Sequence, residues 1–143
     1  MNTAEQLLQV FNNNFVAYYR SHVAHVNIMG RNFASDHKLL EGIYEDLQSQ
    51  IDTIAELLRT LDEFMPDEIQ FVLNESTIST TALSGSSDDL LASVRDDLET
   101  LKSFYEDLME EAEADAHKEI ANYAQDRILA IAKHIWMLNA TLD

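Results

Sequence analysis

Cysteine is absent from this 143-residue chain, proline occurs once, glycine occurs three times, and 9 basic residues stand against 26 acidic ones. Without thiols there are no disulfides, no thiolate metal sites and no cysteine nucleophile. With so little Gly and Pro, long stretches contain nothing that interrupts a helix, and the composition favours an all-α fold. No apolar run approaches membrane-spanning length, and Met1-Asn2-Thr3-Ala4-Glu5 lacks the basic-then-apolar order of an export signal. A cytoplasmic protein with no membrane partner is expected. The net charge of −17 repels nucleic acid and neither end carries a Lys/Arg cluster, so no direct DNA binding is expected. The length suits one hydrophobic core, and residues 1–143 read as a single domain.

What is present is helical periodicity. From Thr3 to about Met29, Leu7, Leu8, Phe11, Phe15, Tyr18, Tyr19, His22 and Val26 fall in steps of three and four, and Gly30 ends the stripe. Asn32 is placed to cap a second helix carrying Leu39, Leu40, Ile43, Leu47, Ile51, Ile54, Leu58 and Leu61, with Pro66 just beyond. Asn74 to Ser87 is rich in Ser and Thr and reads as a crossover with a short helix of its own. A third helix starts near Asp88 with Ser86 or Ser87 as cap, a fourth carries Ile120 to Leu138, and the turn between them falls near Ala112 to Asp115. Two helical hairpins joined by one long crossover make a four-helix bundle.

Five potential metal ligands lie in the first hairpin, His25, His37, Glu41, Asp52 and Glu56, in the pattern H-x11-H-x3-E-x10-D-x3-E. Imidazole combined with carboxylate suits iron and similar divalent ions, and the i, i+4 pairs put two donors on one helical face. His37 and Asp52 are separated on one helix by a rise of about 22 Å at 1.5 Å per residue. They cannot share an ion within one chain. A second copy lying antiparallel across a two-fold axis near Asp46 or Leu47 would bring His37 and Glu41 beside its Asp52 and Glu56, giving two equivalent sites per dimer. His37, Glu41, Gln48, Asp52 and Glu56 share roughly a 100° sector that leaves the apolar face free for the core. Across a hairpin turn His25 returns to the depth of His37.

HVNIMGRNFASDHKLLE, residues 25–41, resembles the Dps segment H-W-N-x-x-G-x-x-F-x-x-x-H-x-x-x-[DE], and IDTIAE resembles its D-x-x-A-E continuation. Lys133-His134-Ile135-Trp136-Met137-Leu138 resembles the K-H-x-W-M-L signature of the last helix, so the likeness runs from about Glu5 to Leu138. The resemblance implies a single ferritin-like (Dps-like) domain, a four-helix bundle with a short helix in the crossover between helices 2 and 3. It further implies a dodecameric homo-oligomer whose two-fold interfaces bind Fe(II), oxidise it with hydrogen peroxide in preference to dioxygen, and store ferric mineral, with no haem. His25, His37 and Glu41 would come from one subunit and Asp52 and Glu56 from its neighbour.

Three departures from the pattern bear on function. Val26 stands where the family usually has Trp, so any radical-quenching role of that ring is absent or moved to Tyr18, Tyr19 or Tyr44. The Lys-rich termini through which many members bind DNA are missing. At the acidic positions of the family's three-fold pore stand His117, Asn122 and Asp126, and only Asp126 keeps the charge. His22 is read as an ordinary helix position, and His134 and Trp136 as packing at a subunit contact. Glu110, Glu111, Glu113 and Asp115 read as a solvated helix end. Maxi-ferritins place E-x-x-H on core-facing helices, and no His here has Glu three residues before it. The alternative from another class is an acidic helical interaction module without chemistry.

Overall fold

The computed structural model describes all 143 residues. Five helices follow in order: α1 Thr3–Asn27, α2 Phe33–Thr60, α3 Ile69–Glu75, α4 Ser87–Ala114 and α5 Lys118–Leu142. The four long ones form the bundle, α1 packing on α2 and α4, and α4 on α5, while the short α3 lies against α1. No helix is long and apolar enough to cross a membrane.

Local chemistry sets the ends. Asn2 accepts from the Glu5 amide at 2.8 Å and starts α1, an Asx cap for an otherwise orphaned donor. Asn32 occupies the cap position of α2 without a side-chain cap bond, against expectation; its carbonyl instead accepts from the Ser35 hydroxyl and the Asp36 amide. Ser86 and Asp89 form a reciprocal capping box at the start of α4, the feature anticipated from Ser86. The α4–α5 turn lies at Asp115 to His117, slightly later than anticipated, with Ala116 at φ 62°.

The short helix of the crossover precedes the Ser/Thr stretch rather than lying within it. The reason is competition for the backbone: Ser76 Oγ donates to the Ile78 carbonyl, and the Thr81 amide donates to Ser79 Oγ, local bonds that replace helical ones. This stretch is instead stapled to α1. Asn13 Oδ1 accepts from the Thr77 and Ile78 amides, and Arg20 donates to the Thr81 carbonyl while pairing with Asp97 of α4 at 2.7 Å.

The core runs the length of the bundle, from Leu7, Phe11 and Leu58 through Leu47, Leu98 and Leu101 to Ile28, Leu40 and Leu91. It spares the sector of α2 that carries the ligand candidates: Leu40, Ile43, Leu47, Ile54 and Leu58 are buried, and Gln48, Asp52 and Glu56 are exposed. The seam between α2 and α5 is polar. Asp46 holds Arg127 in a two-pronged pair at 2.9 and 2.8 Å and also bonds His134 Nε2 at 2.8 Å, and Tyr123 donates to Gln50 at 2.6 Å.

Candidate metal centre

The two imidazoles meet where α1 ends and α2 begins. Because α1 stops at Asn27, the His25 carbonyl has no helical donor, and His37 Nδ1 supplies one at 2.7 Å. His25 Nδ1 reciprocates to the His37 carbonyl, also at 2.7 Å. A carbonyl only accepts, so both Nδ1 atoms carry the hydrogen; in the neutral rings both Nε2 atoms then keep a lone pair, the form in which imidazole binds metal. The rings stack with centres 3.7 Å apart and planes 16° apart, and Phe33 covers the other face of His37 at 4.8 Å. His25 is buried and His37 half-buried.

The carboxylates are not drawn into this clasp. Glu41 is half-buried and pairs with Lys38 at 3.2 Å. Asp52 and Glu56 stand exposed toward the other end of α2, where Asp52, through a hydrogen bond and its charge, holds the Glu56 carboxyl above its ordinary pKa. Two carboxylates in that relation form a site that a cation would relieve. Within one chain, no three His, Cys, Asp or Glu side chains converge as a metal site. At the level anticipated for a two-fold axis, Asp46 turns toward Arg127 and Leu47 into the core. Glu45, Gln48 and Ser49 are the exposed residues there.

Beside the imidazoles lies a group of rings that includes His22. His22 stacks on Tyr44 with ring centres 3.9 Å apart and planes 10° apart, Tyr44 lies 4.9 Å from His25, and Tyr18 Oη is 3.0 Å from His22 Nδ1. His22 is therefore part of a ring stack rather than an ordinary helix position. The available signal was the spacing of Tyr18, His22 and His25 on one face of α1, at steps of four and three. Tyr19 is 61 % exposed and outside the stack. Along the same side of the molecule Phe15, Tyr19, Ile69 and Leu73 line an open cleft between α1 and α3, with Ile69 and Tyr19 largely uncovered.

Other candidates settle differently. His134 is tied to Asp46 inside its own chain, while Trp136 stands 64 % exposed. Asp115 is not simply solvated. It accepts from the Thr3 amide at 2.9 Å and hydroxyl at 2.6 Å, closing the start of α1 onto the α4–α5 turn, and these bonds lower its pKa. Asn122 and Asp126 are exposed on α5, and His117 Nδ1 lies 3.5 Å from Glu119.

Residues 4–143 match the family described as ferritin-like domain, and the chain belongs to that family. Within it the chain is Dps-like. It is 28% identical over 143 residues to the DNA protection during starvation protein of Helicobacter pylori, covering 99% of each chain. It is 32% identical to antigen TpF1 of Treponema pallidum, over 96% of this chain and 78% of that protein. The crystal structure of the Dps protein of Vibrio cholerae, described as a member of the ferritin-like diiron-carboxylate proteins, superposes with a TM-score of 0.93 at 28% identity, over 99% of this chain and 89% of that one.

Proposed function

We propose that this chain is an iron-storing and iron-detoxifying ferroxidase, with His25, His37 and Glu41 of one copy and Asp52 and Glu56 of a second copy forming each site. The observation that carries the reading is the reciprocal imidazole clasp. It leaves the Nε2 atoms of the two neutral rings unbonded, while Asp52 stands on the same helix about 22 Å from His37. A second antiparallel copy closes that gap, and two-fold symmetry makes two such sites per pair.

We infer two irons per site: the stacked ring centres lie 3.7 Å apart, comparable to the separation of about 3.5–4 Å at which two-metal sites hold their ions. One imidazole then serves each Fe(II), and the carboxylates bind more strongly once the ions are ferric. A peroxide accepts one electron from each iron, its O–O bond breaks, and two waters' worth of oxygen result without a free radical. Storage inside a shell near twelve subunits removes the ferric product. Protection of DNA follows from removing iron and peroxide, with no duplex contact, because the chain carries a charge of −17.

Anaerobic Fe(II) titration tests the proposal. Saturable binding is expected in the wild type and its loss in a variant with both His37→Ala and Asp52→Ala. A wild-type protein that binds no Fe(II), or a stable monomer at micromolar concentration by light scattering, would overturn it.

A further inference from the structure

Between α2 and α5 lies an open cleft of about 520 Å³, lined by Ser35, Lys38 and Gly42 of α2 and by Lys133 and His134 of α5. No carboxylate is among its lining residues, in a chain where acidic residues outnumber basic ones 26 to 9. Two lysines from different helices therefore face one space that the acidic surface has left to them. The nearby counter-charges are engaged elsewhere or weakly held. Asp46 meets His134 Nε2 from the α2 side, but its oxygens also carry the two-pronged pair with Arg127. Glu41 holds Lys38 at 3.2 Å in an i, i+3 pair whose lysine is largely exposed, a contact of little strength in water. Lys133 is exposed and makes no ion pair.

Gly42 is the second observation. It stands in the interior of the 28-residue α2, where glycine is disfavoured relative to every residue but proline. Neither the backbone nor packing within the chain asks for it: its φ is not left-handed, and a Cβ built there would meet nothing within 4 Å. One turn along the helix from Lys38, the missing side chain instead keeps the cleft open beside the lysine.

We propose that this cleft binds a phosphate group, free or as a small ester, with Lys38 and Lys133 supplying the charge. A carboxylate ligand has one charge and one pair of oxygens, which a single ammonium satisfies. A phosphate carries a charge of about −1.5 to −2 and three acceptor oxygens, enough to engage ammonium groups from two helices at once. The ligand is small, because the net charge of −17 repels a polyanion such as nucleic acid while a single phosphate needs only the local field of the cleft. The site is independent of the iron-oxidising reading and stands or falls without it.

The test is calorimetric titration of the metal-free protein with inorganic phosphate and, separately, with glycerol phosphate in chloride buffer. Trp136 gives a second readout. It is the only tryptophan, and it lines an adjoining groove that shares Ser35, Leu39 and Met137 with the cleft, so its fluorescence should change as the cleft fills. Saturable binding of one phosphate per chain is expected. Lys38→Gln and Lys133→Gln should each weaken it about tenfold, the loss of one charge-assisted contact. Gly42→Glu, which suits a helix and puts a carboxylate into the cleft, should abolish it, and Lys102→Gln, on α4 outside the cleft, should leave it unchanged. Tighter binding of glycerol phosphate identifies an ester as the ligand, and tighter binding of inorganic phosphate identifies the free anion; either supports the site. Light scattering checks that each variant keeps the wild-type size, and the exposed Lys133→Gln carries the test if Gly42→Glu does not assemble. No saturable binding of either compound, or binding that Lys133→Gln leaves undiminished, would overturn the proposal.

Discussion

Asp46 shows how far one residue's role depends on which way it points. Burial by itself would raise the pKa of its carboxyl, but hydrogen bonds from His134 and Arg127, reinforced by the Arg127 charge, reverse this and hold it far below the usual carboxylate range. A carboxyl whose folded pKa is depressed adds stability above its unfolded value near 4, and that stability is lost as pH falls toward the folded value. Asp46→Asn leaves the Arg127 guanidinium, 7% exposed, without its counter-charge. The expected loss is about 3 kcal/mol at pH 7, the lower end of the range for a broken buried pair, because Asp46 keeps some solvent contact. Urea unfolding at pH 7 and pH 3 checks this: the gap between wild type and variant should narrow at the lower pH, and a constant gap would mean that the ion pair contributes nothing. The same scale explains what could be read from residues alone. Ligand types at helical spacing identify His25, His37, Glu41, Asp52 and Glu56 as candidates. Nothing in the identity of His22 says that it lies on Tyr44, since that depends on how two helices pack.

At the scale of elements, the long helices follow from periodicity, and their ends from caps and turn residues where these exist. The α4–α5 turn lacks a glycine or proline, so its place was uncertain to within a few residues. Ala116 takes the left-handed conformation that glycine usually supplies, at φ 62°, while the His117 amide closes the helix end by donating to the Ala112 carbonyl at 2.8 Å. Ala116→Gly should therefore stabilise the protein by about 0.5–1 kcal/mol, relief of the strained conformation outweighing the added freedom of the unfolded chain. Chemical denaturation measures this, and a loss of stability would show that the turn is not strained. Gly85 is the opposite case. At φ +109° its missing Cβ leaves room for the Asp89 side chain to complete the capping box of α4. The short α3 lies ahead of the Ser/Thr stretch because Ser76 and Ser79 make local bonds that displace helical ones, which composition alone does not locate.

For the whole molecule the decisive claim is that each site belongs to two chains. His37→Ala damages only the imidazole half and Asp52→Ala only the carboxylate half, so a pair containing one of each regains one intact site and keeps one doubly damaged site. Shells reassembled from equal amounts of the two inactive variants should recover about a quarter of the wild-type sites, since half the pairs are mixed and each mixed pair has one good site of two. Fe(II) binding capacity and peroxide consumption after mixing measure the recovery; none at all would place both halves in one chain. The proposal of a second copy was legible before any coordinates, because the rise per residue is a constant of the α-helix and the spacing of the candidate ligands is written in the chain. Helix periodicity likewise separates the ligand sector of α2 from its core sector. Tertiary structure alone decided that His25 and His37 donate to each other's carbonyls, that their Nε2 atoms are thereby left free, that His22 stacks on Tyr44, and that Asp46 turns inward. These are relations between side chains on different helices, and rotamers and ring orientations are set by packing across the bundle, which no pattern along a single helix contains.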